Sequence, residues 1–174
     1  VYKRQTLELG GKSPTILSDG ASIEKSVNKI LFGKLLNGGQ ICVSPDYSFI
    51  PEQKVEKFIE TSKNFISEKF PTIKNNPDYT SLVHQSHYER VKSYIEDARS
   101  KGAEIIEINP ANEDFSQQEH HKIPPTFVLN VNDDMEIMKN EIFGPVMPIK
   151  PYKDFNETVE SVSYTHLTLP TRRG

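Results

Sequence analysis

The sequence has 174 residues and nearly balanced charges, with 21 Lys and Arg against 24 Asp and Glu and a net charge of −3. This balance gives no electrostatic basis for binding nucleic acid or an anionic membrane, and no apolar run approaches the roughly 20 residues of a membrane span. Its single cysteine excludes an intrachain disulfide and a cysteine-based zinc site and is typical of a cytosol-like compartment, so we expect a cytoplasmic protein.

Strand-like and helix-like patterns alternate along the chain. Residues 6–17 are typical of two short strands around a Gly-Gly turn. Ser22 is expected to cap a helix whose apolar residues recur every three or four positions as far as Leu35, and Gly38-Gly39 should end it. A second amphipathic helix is predicted over residues 53–70. The further predicted strands are 47–50, 104–108, 126–131 and 146–150.

The second half of the chain carries two predicted helix caps and a loop. Ser86 and Glu89 have the spacing of a capping box, and the helix after them should end at Gly102. Asp133-Asp134 is expected to cap a helical turn, and residues 155–162 favour a short helix. Residues 109–125 are polar and predict an exposed loop. Because strands and helices alternate, we predict an α/β fold with parallel strands.

The single cysteine, Cys42, lies just after the helix-ending glycines and just before Ser44-Pro45-Asp46. One interpretation is a buried small hydrophobe, which free cysteines often are. The other is a reactive thiol in a turn, because catalytic groups are frequent on loops held by a rigid scaffold.

Two carboxylates have open alternatives of the same kind. Glu8 either points into a cleft or faces water on an alternating strand, and Glu141 either lines a site or belongs to a plain turn with Phe143 as its core plug. Residues 11–13 imitate a phosphate loop but lack its first glycine, and no dinucleotide fingerprint occurs. The histidine pairs His84 with His87 and His120 with His121 are interpreted as solvated, so no metal site is predicted.

Three segments taken together resemble the signature segments of the aldehyde dehydrogenase superfamily. They are Leu-Glu-Leu-Gly-Gly-Lys at 7–12, Gly-Gln-Ile-Cys at 39–42 and Glu-Ile-Phe-Gly-Pro at 141–145. The separation of 34 residues between Glu8 and Cys42 is the spacing expected there. Pro-Asp-Tyr after the cysteine, with residues 124–126 and 133–145, is similar to the coniferyl aldehyde dehydrogenase and class 3 branch.

The resemblance implies a three-layer α/β catalytic domain with a mainly parallel sheet, covering residues 6–162 and truncated at both ends. Residues 1–5 and 164–174 are expected to be non-native flanking sequence. The cofactor domain would precede residue 1, and the strands that complete the domain and a homo-oligomer would follow residue 162.

The resemblance also implies a chemistry, the oxidation of an aldehyde to a carboxylic acid with NAD or NADP. Cys42 would be the nucleophile, forming a thiohemiacetal and then a thioester, and Glu8 the base that activates water. Glu141, Phe143 and Leu9 would bind the cofactor. The branch suggests an aryl aldehyde such as coniferyl aldehyde. The retained Glu8 disfavours an acyl-CoA-forming relative, and the open alternative is a truncated, non-catalytic domain.

Overall fold

The computed structural model describes residue 4 and residues 10–165. The described part of the chain forms five strands and five helices, with two short 3₁₀ turns at Leu36–Gly39 and Glu52–Lys54. The strands are β1 (Pro14–Ile16), β2 (Tyr47–Pro51), β3 (Glu104–Glu107), β4 (Thr126–Leu129) and β5 (Val146–Tyr152). The helices are α1 (Ile23–Leu35), α2 (Val55–Lys69), α3 (Gln85–Ser100), α4 (Glu136–Lys139) and α5 (Phe155–Thr165).

The strands form one sheet in the order β1-β2-β5-β4-β3. The first four are mutually parallel, with Thr15 opposite Ser48 and Ser48 opposite Ile149, while β3 is an antiparallel edge strand on β4. Every residue of β2, an interior strand between β1 and β5, is buried, as expected for a parallel strand covered on both faces. The predicted α/β fold with a mainly parallel sheet is confirmed.

Helices cover both faces of the sheet and produce three layers. On one face α1 and α2 pack against alternate strand residues such as Ile50, Met147 and Ile149. On the other face α3 and α4 pack against Val128 and Val146, and Tyr47, Phe49, Tyr152 and Val162 bring α5 to the same side. Alternation along each strand sends neighbouring residues to opposite cores, which is why the sheet separates two helical layers.

Local signals placed the ends of α1 and α3 well. The Ser22 side chain accepts a hydrogen bond from the Lys25 N–H at 3.4 Å, as a helix N-cap does. At the other end of α3, Gly102 has a φ of +90°. The Gly102 N–H donates to the main-chain oxygen of Arg99 at 3.1 Å, and the Ala103 N–H donates to that of Ala98 at 3.0 Å. These two hydrogen bonds form a Schellman motif.

The predicted capping box at Ser86 is wrong. The N-cap of α3 is His84, and its side chain makes no capping bond. Ser86 instead hydrogen-bonds the His84 ring at 2.8 Å, and Glu89 accepts from the Gln85 amide at 2.7 Å. The helix starts before Ser86, so both predicted capping side chains bond within the first turn.

The Asp133-Asp134 cap is also wrong. Met135 is the N-cap of α4, and Asp134 donates its N–H to the Asn132 side chain at 3.0 Å in an Asx turn. The carboxylate that satisfies the first turn belongs to Asp97 of α3, which accepts the Glu136 N–H at 2.8 Å. A side chain distant in sequence thus performs the capping.

The loop predicted over residues 109–125 is irregular, but its end is not exposed. Residues 122–125 are buried, and the Lys122 ammonium donates to the main-chain oxygens of Ile73 at 3.2 Å and Asn76 at 2.6 Å. The exposed-loop prediction fails there because the segment packs on residues 73–82. No helix among the described residues combines the length and apolar content needed to span a bilayer.

Candidate active site

The three signature segments meet at one edge of the sheet. Residues 10–13 lead into β1, residues 42–46 into β2 and residues 141–145 into β5, and these three strands are neighbours in the sheet. Because the strands are parallel, all three segments lie at their amino-terminal ends. Ligands of open α/β sheets ordinarily bind at the carboxyl ends, so this site occupies the opposite edge.

Two close backbone approaches join the segments. Gly39 has a φ of +75°, and a Cβ there would collide with the main-chain oxygen of Gly144. A Cβ at Gly10 would collide with the Glu141 carboxylate. The first contact ties the cysteine segment to the 141–145 turn, and the second brings the glycine pair after Glu8 against the same turn.

A buried ion pair between Lys12 and Asp46 connects the three segments. The Lys12 ammonium lies 2.5 Å from Asp46 Oδ2, and both side chains are only 5% exposed. Lys12 also donates to the main-chain oxygens of Ile137 at 2.7 Å and Asn140 at 2.9 Å, while Asp46 Oδ1 accepts the Ile142 N–H at 3.0 Å. Burial lowers the pKa of Lys12, whereas the negative charges of Asp46 and Glu141 act to raise it. Paired charges with these further hydrogen bonds can remain ionised inside a fold.

Cys42 is an exposed free thiol, which excludes the interpretation of a buried small hydrophobe. Its turn is held by the Ser44 N–H, which donates to Ile41 at 2.9 Å, and by the Ser13 hydroxyl, which donates to the Cys42 main-chain oxygen at 3.2 Å. The Cys42 N–H has no main-chain hydrogen-bond partner among the described residues. It is therefore available to an oxygen atom bound beside the thiol.

A cleft of about 630 Å³ opens in front of Cys42. This volume lies in the range of small-molecule sites, roughly 300–1,000 Å³. The residues that line it come from the signature segments and from α3: Gly10, Gln40, Ile41, Cys42, His87, Arg90, Glu141 and Phe143. The structure thus brings Cys42, Glu141 and Phe143 into one cavity, while Glu8 and Leu9 lie outside the described residues and their roles stay predictions.

Phe143 is not the core plug that the plain-turn alternative for Glu141 assumed. Phe143 is half-buried, lines the cleft and has a φ of +50°, which is unusual for a residue other than glycine. The core plug is its neighbour Ile142, which is completely buried in the cluster beneath α3.

Sequence reasoning missed the contribution of α3. His87 was interpreted as solvated, but it is half-buried in the cleft wall, and its Nδ1 has no hydrogen-bond partner among the described residues. Burial, then the nearby His84 and Arg90, lowers the pKa of His87, so the ring is neutral at pH 7 and can accept or donate a hydrogen bond. The sequence signal for this contribution is the spacing of three residues between His87 and Arg90, which places both side chains on one face of a helix.

Gln40 was also missed as a brace of the cysteine segment. Its side-chain amide nitrogen donates to the main-chain oxygens of Asn37 at 2.9 Å and Ser81 at 3.0 Å. Its side-chain amide oxygen accepts the Val83 N–H at 2.9 Å. The loop before α3 is thereby bonded to the turn that carries Cys42.

The residues that line the cleft can be compared with the needs of a metal ion and of a nucleotide. No three His, Cys, Asp or Glu side chains within the described ranges converge to hold a metal. The Glu141 carboxylate offers two acceptor oxygens for the hydroxyls of a ribose, and the Phe143 ring offers a flat apolar surface in the same cavity. The residues present therefore fit the sugar and ring of a dinucleotide.

Known proteins are similar to this chain in sequence. A model of the aldehyde dehydrogenase family matches residues 1–171. A probable coniferyl aldehyde dehydrogenase of Caulobacter vibrioides is 57% identical over 91% of this chain and 33% of its own length. The coniferyl aldehyde dehydrogenase of a Pseudomonas species is 42% identical over 91% of this chain and 33% of its own length.

Solved structures agree with the sequence comparison. A substrate-bound AldH of Staphylococcus aureus superposes with a TM-score of 0.79 and is 32% identical, over 90% of this chain and 33% of that one. The chain spans about a third of the length of the curated relatives it matches. With the family model matched from residue 1 to residue 171, the chain belongs to the aldehyde dehydrogenase family.

Proposed function

We propose that the full-length protein oxidises an aldehyde to a carboxylic acid with NAD or NADP, and that Cys42 is its nucleophile. The observation that carries the proposal is the exposed Cys42 thiol in the same cleft as Glu141 and Phe143. Overall, aldehyde, water and oxidised cofactor give acid, reduced cofactor and one proton.

Cys42 acts first. Its sulfur adds to the carbonyl carbon and forms a thiohemiacetal, because a thiol is a good nucleophile even when only a few per cent is ionised. The developing oxyanion faces the Cys42 N–H, which has no main-chain partner among the described residues. A donor fixed in place before the reaction stabilises such an oxyanion without reorganisation.

The second half releases the product. Bound NAD or NADP supplies the acceptor for the hydride that leaves the carbonyl carbon. The acyl group then remains on the Cys42 sulfur as a thioester. Glu8 takes a proton from water, the hydroxide attacks the acyl carbon, and the thiolate of Cys42 leaves.

The cofactor is held by residues of the same cleft and by Leu9. Glu141 accepts hydrogen bonds from ribose hydroxyls, Phe143 packs beside the nicotinamide, and Leu9 contributes an apolar contact. Support comes from a structural neighbour described as betaine aldehyde dehydrogenase of Staphylococcus aureus in complex with NAD⁺, which is 26% identical with a TM-score of 0.74. A neighbour from Bacillus halodurans described with NADP is 25% identical with a TM-score of 0.73, so both cofactors stay in the proposal.

The substrate class is an aryl aldehyde such as coniferyl aldehyde. The support is the similarity to the probable coniferyl aldehyde dehydrogenase of Caulobacter vibrioides, 57% identical, and to the coniferyl aldehyde dehydrogenase of a Pseudomonas species, 42% identical. We also propose that the full-length protein is a homo-oligomer and that it works in the cytoplasm.

The test separates the two halves of the reaction in the full-length protein. With coniferyl aldehyde, Glu8→Gln should still release about one NADH per site in the first turnover, since hydride transfer needs no base for water. Its steady-state rate should then fall by roughly 10²–10⁴-fold, the usual contribution of a positioned general base. Stopped-flow absorbance of NADH measures both phases.

Cys42→Ala is the matched variant and should abolish burst and steady state together, because no covalent intermediate forms. If Glu8→Gln loses its burst as completely as Cys42→Ala, Glu8 is needed before hydride transfer and its proposed role is wrong. If Cys42→Ala retains turnover, the proposed nucleophile is wrong.

A further inference from the structure

Three successive carbonyls of the turn that carries Glu141, those of residues 140–142, accept no main-chain N–H from the described residues. The main-chain oxygen of Asn140 accepts from the Lys12 ammonium at 2.9 Å. The oxygens of Glu141 and Ile142 accept from Arg90 of α3, at 3.1 Å from Nη1 and 2.8 Å from Nη2. All three carbonyls are thus bonded to the side chain of a cationic residue from elsewhere in the fold.

Arg90 is itself well located for this task. Its guanidinium carbon lies 5.3 Å from the centroid of the Tyr94 ring, one helical turn further along α3. The next residue, Val91, is completely buried, and it packs so closely on Gly144 that a Cβ there would lie 3.0 Å from it. One turn of α3 therefore contacts both ends of the 141–144 segment, through the Arg90 hydrogen bonds at one end and the Val91 side chain at the other.

The bonding pattern requires an arginine. Two different nitrogens of one planar group reach two successive carbonyls, and a lysine ammonium is a point charge without this fork geometry. Both terminal nitrogens also donate toward the turn, although Arg90 lines the cleft. The side chain is therefore directed at the turn backbone within the cavity wall.

We propose that Arg90 is a positioning residue, which holds the backbone of Glu141 and Ile142 so that the Glu141 carboxylate faces a ribose in the cleft. This rests on the cofactor-binding role proposed above for Glu141. Without the guanidinium, two carbonyls lose their donors, and the turn at Phe143, with its φ of +50°, loses both of these hydrogen bonds to α3.

The experiment is a double-mutant cycle on the full-length protein with Arg90→Met, Glu141→Ala and the double variant. Dissociation constants for NAD, and for NADP in parallel, are measured by calorimetry, and KM for coniferyl aldehyde by steady-state kinetics. Arg90→Met should weaken cofactor binding by about 10- to 100-fold, the order of loss that an ångström-scale displacement causes. The KM for the aldehyde should change far less.

If Arg90 acts through Glu141, the double variant binds the cofactor no more weakly than Glu141→Ala alone, since coupled residues are not additive. Additive losses would mean that Arg90 contacts the cofactor directly and would overturn the positioning role. Arg90→Lys should recover part of the loss, because one carbonyl regains a donor, and it also serves if Arg90→Met does not fold. Arg99→Met, on the same helix but in an exposed pair with Glu96, is the control and should bind the cofactor like the parent protein.

The two proposals can fail separately. If Glu141→Ala binds the cofactor as the parent protein does, the role assigned to Glu141 is wrong, and the positioning role falls with it. If Glu141→Ala is weakened while Arg90→Met and Arg90→Lys bind normally and lose only thermal stability, the positioning role alone is overturned.

Discussion

Lys34, in the last turn of α1, is a buried cation of unusual character. Its side chain is only 2% exposed, and its ammonium has no hydrogen-bond partner among the described residues. Burial lowers its pKa from 10.5 to about 8, while the charges of Asp46 and Glu141 act against this change and that of Lys12 adds to it. At pH 7 the protein therefore carries an incompletely compensated charge beneath the active-site edge.

The pKa difference predicts how stability depends on pH. Between about pH 8 and pH 10.5 the unfolded chain keeps the Lys34 proton and the folded chain releases it. The free energy of unfolding therefore rises with pH across this window. The change in the free energy of unfolding that the Lys34 titration contributes across this window is about 3 kcal/mol. Lys34→Met should raise the urea midpoint of the full-length protein at pH 7 and flatten the rise.

The exposed Lys29 on the same helix provides the control, and Lys29→Met should leave the pH dependence unchanged. A loss of stability at pH 7 in Lys34→Met would contradict the prediction, because it would mean that the ammonium has a stabilising partner in the full-length protein.

At the level of elements, the site depends on how closely the segment after α1 approaches the turn before β5. Gly39→Ala would force a Cβ into the Gly144 main chain, and backbone atoms cannot move aside as the end of a side chain can. Its φ of +75° adds the cost of a left-handed residue, roughly 1–2 kcal/mol. We expect Gly39→Ala to destabilise the full-length protein by more than this conformational cost alone.

Two other glycines separate these effects. Gly102 has a φ of +90° with no atom within 4 Å of a new Cβ, so Gly102→Ala should show the conformational cost alone. Gly20 also has open space and no positive φ, so Gly20→Ala should be close to neutral. The melting temperature should be highest for Gly20→Ala, lower for Gly102→Ala and lowest for Gly39→Ala. Equal melting temperatures for Gly102→Ala and Gly39→Ala would contradict the predicted collision.

At the scale of the whole molecule, the cofactor site proposed above would be only partly contained in this chain. The cofactor contacts proposed above for Glu141 and Phe143 concern the ribose and the nicotinamide, whereas the sequence contains neither a phosphate loop nor a dinucleotide fingerprint. The chain spans 33% of the length of its relatives, and we expect the pyrophosphate and adenine contacts to come from the remainder of the full-length protein.

The 174-residue chain by itself should therefore show no dehydrogenase turnover and no tight binding of NAD. Calorimetry with the isolated chain and with the full-length protein, side by side, tests this. Micromolar affinity for NAD in the isolated chain would contradict it and would also remove support for the alternative of a non-catalytic piece.

Much of the fold could be predicted because its signals are local. The apolar spacing of α1, its cap at Ser22 and the stop at Gly102 depend on residues within a few positions of each other. The site edge was predictable in principle as well, since Lys12, Cys42 and Glu141 each shortly precede a strand of a mainly parallel sheet. Correct strand order was the missing information.

The sequence by itself determined the alternation of strands and helices, the order of the signature segments and the candidate residues Glu8, Cys42 and Glu141. The tertiary structure decided everything that joins distant parts of the chain. Asp97 caps α4 from a different helix, Asp46 pairs with Lys12, and Arg90 bonds the turn of Glu141. The partners in these contacts are 34 to 51 residues apart and leave no periodic pattern in the sequence, because a side chain bonds to whichever polar group the fold brings within about 3 Å.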